Sequence, residues 1–146
     1  MEKGFTRFQR KEGIGDKALC DAVSDAAAGL IDADLGHGLI KQRVARQGQG
    51  KRGGYRTVIA YRVKKRAVFL FGFAKSRMAN LDPGEQAELV KRGAVWIGAS
   101  DVVIERAITT EELHNRRIEG GRLWRRKSKV SESLLTSNGC AARSWK

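Results

Sequence analysis

Three runs between residues 39 and 74 constrain this chain more than any other feature. They are "LIKQRVAR" (39–46), "YRTVIAYRV" (55–63) and "RAVFLFGFA" (66–74). Each is rich in β-branched or aromatic residues and reads as a strand. In the first, a period of two puts Lys41 and Arg43 on one face and Ile40 and Val44 on the other. In the second, Tyr55, Thr57, Ile59, Tyr61 and Val63 share a face, against Arg56, Val58, Ala60 and Arg62. The third is apolar on both faces, with Phe69, Phe71 and Phe73 alternating against Val68, Leu70 and Gly72. Such a run reads as a covered strand. Lys64-Lys65 is a tight connection that favours an antiparallel hairpin, although the usual glycine is missing.

Between the first two runs lies "GQGKRGGYR" (48–56), whose Gly48, Gly50 and Gly53 satisfy G-x-G-x-x-G. A dinucleotide fingerprint must open a helix, because the pyrophosphate sits on that helix's N-terminus. Here the glycines lead into the strand-like "YRTVIAY". The phosphate-loop pattern fails too: Arg52 follows Lys51, and Ala45 stands where the first glycine belongs. The segment is expected to be a flexible hairpin loop that lets Lys51 and Arg52 reach a backbone phosphate.

Helices flank these strands. "GFTRFQRKEG" (4–13) suggests a helical turn docking Phe5 and Phe8. Asp16 reads as the N-cap of a helix to about Leu30, with Leu19, Val23, Ala26, Ala27 and Leu30 as its apolar stripe. "DADLGHG" (32–38) is expected to end it. Asp82-Pro83 with Glu85 close behind is a strong helix start, and Gly93 and Gly98 weaken the helix that follows. "SDVVIERAI" (100–108) extends that helix or forms a short strand, and Thr109 to Glu112 is a capping-box pattern opening a brief helix. The chain is read as one domain over residues 1–114. Residues 115–146, rich in Arg, Lys, Ser and Gly, read as a mobile basic tail or an unselected extension.

Charge points to the partner. The formal net charge is +13 at pH 7, which favours a polyanion. Residues 35 to 81 hold twelve Lys and Arg and no Asp or Glu, whereas the first 34 residues hold seven acids. A stretch of one sign is a candidate field for phosphates. Two cysteines, Cys20 and Cys140, make neither a disulfide framework nor a zinc site. No signal peptide or 18-residue apolar span is seen, so the cytoplasm is the default.

His37 and His114, the only histidines, lack partners at metal-ligand spacing, and no metal or other cofactor is expected. What remains is a cationic site without acids. RNA cleavage by its own 2′-OH needs proton removal, stabilised phosphate charge and proton delivery to the leaving oxygen. Lysine crowded by cations can serve as base, and arginine's planar fork suits the phosphate charge. Lys41, Arg43, Arg56 and Lys75 can converge on one sheet face with Arg52 at its rim. On these residues alone, phosphate binding without turnover is the simpler reading.

Three pieces, "GLI…LIKQRV", "GKRGGYRTVIAYR" and "FLFGFAKSRMANL", occur in an order and spacing that resembles the RelE/HigB-like toxins of type II toxin–antitoxin systems. The resemblance covers roughly residues 5 to 81. It implies an α+β fold: a small twisted antiparallel sheet with helices packed on one face. It implies a metal-independent mRNA interferase, often acting at the ribosome, and a cognate antitoxin as partner. Carried over by position, Lys41 becomes the base, Arg56 the phosphate clamp, and Arg43 and Lys75 their support. Lys51, Arg52, Arg62 and Arg77 become further RNA contacts. The family's usual N-terminal strand is shortened or absent. The Tyr that some members place late in the site has no counterpart, because Leu81 and Asp82 stand there. A non-catalytic nucleic-acid-binding protein and a gyrase-directed toxin of the same fold are the alternatives.

Overall fold

The computed structural model describes residues 1–63, 65–78 and 80–115. In chain order the elements are α1 (Lys3–Glu12), α2 (Asp16–Ala27), β1 (Ala33–Gly36), β2 (Leu39–Arg46), β3 (Gly50–Arg62), β4 (Arg66–Ala74), α3 (Pro83–Gly98) and α4 (Asp101–Thr109). The strands make one antiparallel sheet in the order β1-β2-β3-β4, each pairing with its neighbour in sequence. The class is α+β, as the three strand-like runs and flanking helical patterns imply. The expected basic tail lies, from residue 116 onward, outside the described residues.

β1 is a strand that the sequence reading missed. It is only four residues long, and its half-buried face is just Ala33 and Leu35, too short a run for period two to announce it. The turn after it carries the signal. His37 and Gly38 have φ of 53° and 78°, the left-handed pair that a two-residue type I′ hairpin requires.

The glycine-rich segment also differs from expectation. Its turn is confined to residues 47–49, with Gly48 at φ 79°, and Gly50 to Gly54 already belong to β3. A Cβ on Gly54 would collide with the Val44 carbonyl oxygen, where the β2–β3 register shifts between Val44 and Arg46. The glycine permits a close backbone approach rather than flexibility.

Register sorts the side chains onto two faces. Ile40, Gln42 and Val44 of β2 lie opposite Ile59, Thr57 and Tyr55 of β3. α1 and α2 cover this face with Phe5, Leu19, Ala22, Val23 and Ala26. Phe5 stacks on Phe69 at 4.9 Å between centroids, and Phe8 meets Tyr55 edge-on at 5.6 Å. Burying each such side chain stabilises the fold by about 2–3 kcal/mol. The helices expected on one face are these two. α3 and α4 add to them, packing on the opposite face over Leu39, Val58, Ala60, Val68 and Leu70.

A bulge decides where the phenylalanines go. Ile59 pairs with Phe69 but Val58 pairs with Phe71, which leaves Leu70 as the extra residue. The expected single row of Phe69, Phe71 and Phe73 is therefore broken. Phe69 joins the α1 side, while Phe71 and Phe73, with centroids 5.9 Å apart, stay together.

Helix limits follow local chemistry. Gly15, not Asp16, occupies the N-cap of α2. Asp16 instead accepts from Gln9 Nε2 at 2.9 Å, tying α1 to α2. α2 stops at Ala27, so Leu30 falls off the expected stripe and is exposed. The Asp82–Glu85 capping box forms as expected, with Glu85 N–H donating to Asp82 Oδ1 at 2.8 Å. Gly93 does not break α3; it makes room for Leu39, which a Cβ would strike. Residues 101–109 are a separate helix capped by Ser100. The Thr109–Glu112 pattern ends α4 rather than opening another helix. The hydroxyls of Thr109 and Thr110 bond back to the Glu105 and Arg106 carbonyls at 3.0 and 3.1 Å, and Glu111 has φ of 59°. Backward bonding of this kind competes with a forward cap. The ends of the domain are knit together: Glu2 bridges Leu113, accepts from Trp96 Nε1 at 2.7 Å and pairs with Arg92. Among the described residues no helix is long and apolar enough to cross a membrane.

Tyr55 offers a pH test of the α1–sheet contact. Its hydroxyl donates to the Glu12 carbonyl oxygen at 3.3 Å. Burial, with the Glu12 side chain adding to it, raises the phenol above its ordinary value. A raised value means this contribution is complete below the unfolded value of about 10 and is lost as pH climbs towards the folded one. Tyr55→Phe is expected to lose about 1 kcal/mol at neutral pH and to show a shallower stability decline above pH ~10. Denaturant melts across that range check both. A decline as steep as the wild type's would show that Tyr55 contributes nothing to it.

Candidate nucleic-acid interface

Three cross-strand rows build the face opposite α1 and α2. Arg43 lies opposite Arg56, and Arg56 opposite Phe73. The next row is Lys41, Val58 and Phe71, and the third is Leu39, Ala60 and Val68. α3 and α4 pack on the second and third rows, so Arg43 and Arg56 occupy the row farthest from that core. The alternation that kept Ile40 and Val44 in the core turns Lys41 and Arg43 outward.

Arg56 is not a freely solvated cation. Its side chain is only 8% exposed, against 47% for Arg43. One carboxylate serves both: Arg43 Nε donates to Asp32 Oδ1 at 2.6 Å, and Arg56 Nε stands 3.4 Å from Asp32 Oδ2. Arg56 Nη1 is buried with no hydrogen-bond partner among the described residues. A buried charge needs a counter-charge to persist, and Asp32 provides it.

Asp32 corrects the expectation of a site without acids. The segment 35–81 is acid-free in sequence, but pairing of β1 with β2 returns the residue just before β1 to this face. The Asp32 N–H donates to the Lys41 carbonyl oxygen at 3.1 Å and to Gln42 Oε1 at 3.2 Å. Gln42 is buried and donates to the Ala22 and Leu30 carbonyls at 3.2 and 3.0 Å. The side chain between Lys41 and Arg43, pointing the other way, thus anchors the acid that holds the arginines. Only knowledge of the β1–β2 pairing makes Asp32 visible as a site residue.

Lys41 is half-buried on the same face, and among the described residues it forms no ion pair. Lys75 and Arg77 are exposed in the turn that leaves β4 two residues beyond Phe73. Arg52 is exposed in β3. The other two expected RNA contacts are engaged elsewhere. Lys51 pairs with Asp25 of α2, and Arg62 Nη1 donates to the Ile97 carbonyl at 3.2 Å. Arg66, which the sequence reading did not single out, caps α3 by donating to the Trp96 and Ala99 carbonyls at 3.1 and 2.8 Å. Leu81, at the place of the absent Tyr, packs with the α3–α4 core. His37 lies in the β1–β2 turn, and the His114 N–H donates to the Met1 carbonyl at 2.7 Å.

The arrangement suits a phosphodiester. Two guanidinium groups side by side match the oxygens of one phosphate, an amine stands one row away, and aromatic rings border them. No curated protein and no solved structure matches the chain. One family model does: the RelE toxin of the RelE/RelB toxin–antitoxin system, over residues 1–115. That match takes in every described element, from the helix before the sheet to the residues that close on Glu2, and so the chain belongs to the RelE toxin family.

Proposed function

We propose that this toxin is an endoribonuclease that cleaves mRNA by in-line attack of the substrate's own 2′-OH. The observation that carries the proposal is the Arg43–Arg56 pair in the row farthest from the α3–α4 core, with Lys41 one row away. Arg56 and Arg43 hold the scissile phosphate and take up its growing negative charge. Lys41 accepts the 2′-OH proton as the 2′-oxygen bonds to phosphorus. The bond to the 5′-oxygen breaks, and that oxygen takes a proton from solvent or from the Lys75 ammonium. A 2′,3′-cyclic phosphate and a 5′-hydroxyl result. Arg52 and Arg77 hold the flanking backbone, each adding a salt-dependent contact.

Family membership implies a cognate antitoxin, which would act by covering this face. Induced expression in a host lacking that antitoxin is expected to arrest growth and to leave mapped cuts in translated mRNA. Parallel reactions with purified protein, with and without ribosomes, locate the step. Protein that binds RNA, leaves it intact under both conditions and permits growth would establish the competing reading of a binder without turnover.

A further inference from the structure

We propose that Asp32 is a positioning residue for RNA cleavage, one that orients Arg43 and Arg56 by their Nε edges and stays in place when RNA is bound. The inference rests on the nuclease reading above. Its starting point is which atoms the carboxylate occupies. Both recorded pairings use Nε, at 2.6 Å for Arg43 and 3.4 Å for Arg56. An arginine fork has five N–H donors, so an Nε-held guanidinium keeps donors for a second anion. Arg56 Nη1, buried without a partner among the described residues, is such an unused donor.

The acid is itself anchored. Its N–H makes two hydrogen bonds, to Lys41 and to Gln42, and Gln42 is in turn bonded to the Ala22 carbonyl in α2 and the Leu30 carbonyl in the α2–β1 link. A carboxylate meant to be displaced by substrate would sit on a loose segment. This one is tied to the backbone of the same strand that carries Lys41 and Arg43. Groups held before substrate arrives lose less freedom in the transition state, and that is where electrostatic catalysis gains its advantage. Asp32 also lowers the local positive charge, so it works against RNA affinity while favouring the geometry for turnover. This opposition separates a positioning role from a merely structural one.

The test compares wild type, Asp32→Asn and Asp32→Glu. Affinity is read with RNA carrying 2′-O-methyl at the cut site, and rate by single-turnover cleavage of the unmodified strand. Asp32→Asn is expected to bind the methylated RNA as tightly as wild type or up to about tenfold more tightly, because a repulsive charge is gone. Its cleavage rate is expected to fall about tenfold to a hundredfold, with partial recovery in Asp32→Glu. Equal or faster cleavage by Asp32→Asn would overturn the inference and leave the nuclease reading intact. Inert wild-type protein would overturn both.

If Asp32→Asn fails to fold, wild-type protein still decides the matter. The arginine Nε–H signals of Arg43 and Arg56, assigned with Lys substitutions, should remain protected from exchange when methylated RNA is added. Loss of that protection would show that RNA displaces Asp32, and the proposal would fall.

Discussion

Arg56→Ala should reduce single-turnover RNA cleavage by about 10²–10³-fold and abolish growth arrest on induction, since that is the usual loss when one preorganised donor to a developing anion is removed. Several observations make Arg56 the largest lever. It lies between Arg43 and Phe73 in the row farthest from the α3–α4 core. It is the more buried of the two arginines, and charge interactions strengthen as water is excluded. Arg56→Lys preserves the charge but loses the planar fork, so its rate should fall between wild type and Ala. The salt dependence of binding gives an independent readout: losing one phosphate contact should reduce the slope by about one. Removing a buried arginine also unpairs part of Asp32, so melting must be measured alongside. A variant that melts within a few degrees of wild type yet still cuts RNA at the wild-type rate would remove Arg56 from the mechanism.

Gly72→Ala should destabilise the domain by about 2–3 kcal/mol through overpacking, a loss of roughly 10 °C in Tm. Gly72 faces α1 opposite Thr57. A Cβ there would lie 2.5 Å from Phe8 Cδ1 and 3.0 Å from Phe5 Cε2. Neither ring can readily yield. Phe5 is fully buried and stacked on Phe69, and Phe8 is held edge-on to Tyr55. The added methyl must push α1 away from the sheet or drive a ring off its rotamer. The face that carries Arg43 and Arg56 is on the other side of the sheet, so toxicity at permissive temperature should persist while thermal stability drops. An unchanged melting temperature would mean that α1 yields to the sheet at no cost.

Much of this architecture can be read directly. β2 and β4 have the limits that alternation and composition indicate, because a half-buried strand must keep one face apolar at every second residue. The Asp82–Pro83–Glu85 start of α3 is equally local, since its hydrogen bonds close within four residues. The three cations Lys41, Arg43 and Arg56 share a face for the same period-two reason, once β2 and β3 are taken as antiparallel neighbours.

Other features depend on residues distant in sequence. β1 has only Ala33 and Leu35 as an apolar face and pairs along the edge of β2. The bulge at Leu70 reverses Phe69 relative to Phe71 and Phe73, and it shows only in the pairing of β4 with β3. The recruitment of Lys51 by Asp25 and of Arg62 by α3 is likewise a matter of helix placement. Alternation, written within a few residues, determined β2, β3 and β4 and the face that Lys41, Arg43 and Arg56 share, and three motif pieces in order carried the resemblance to the family. Only the tertiary structure decided that Asp32 enters that face and joins its two arginines, because ion pairing depends on distance in space, and Asp32 lies eleven positions before Arg43 in the chain.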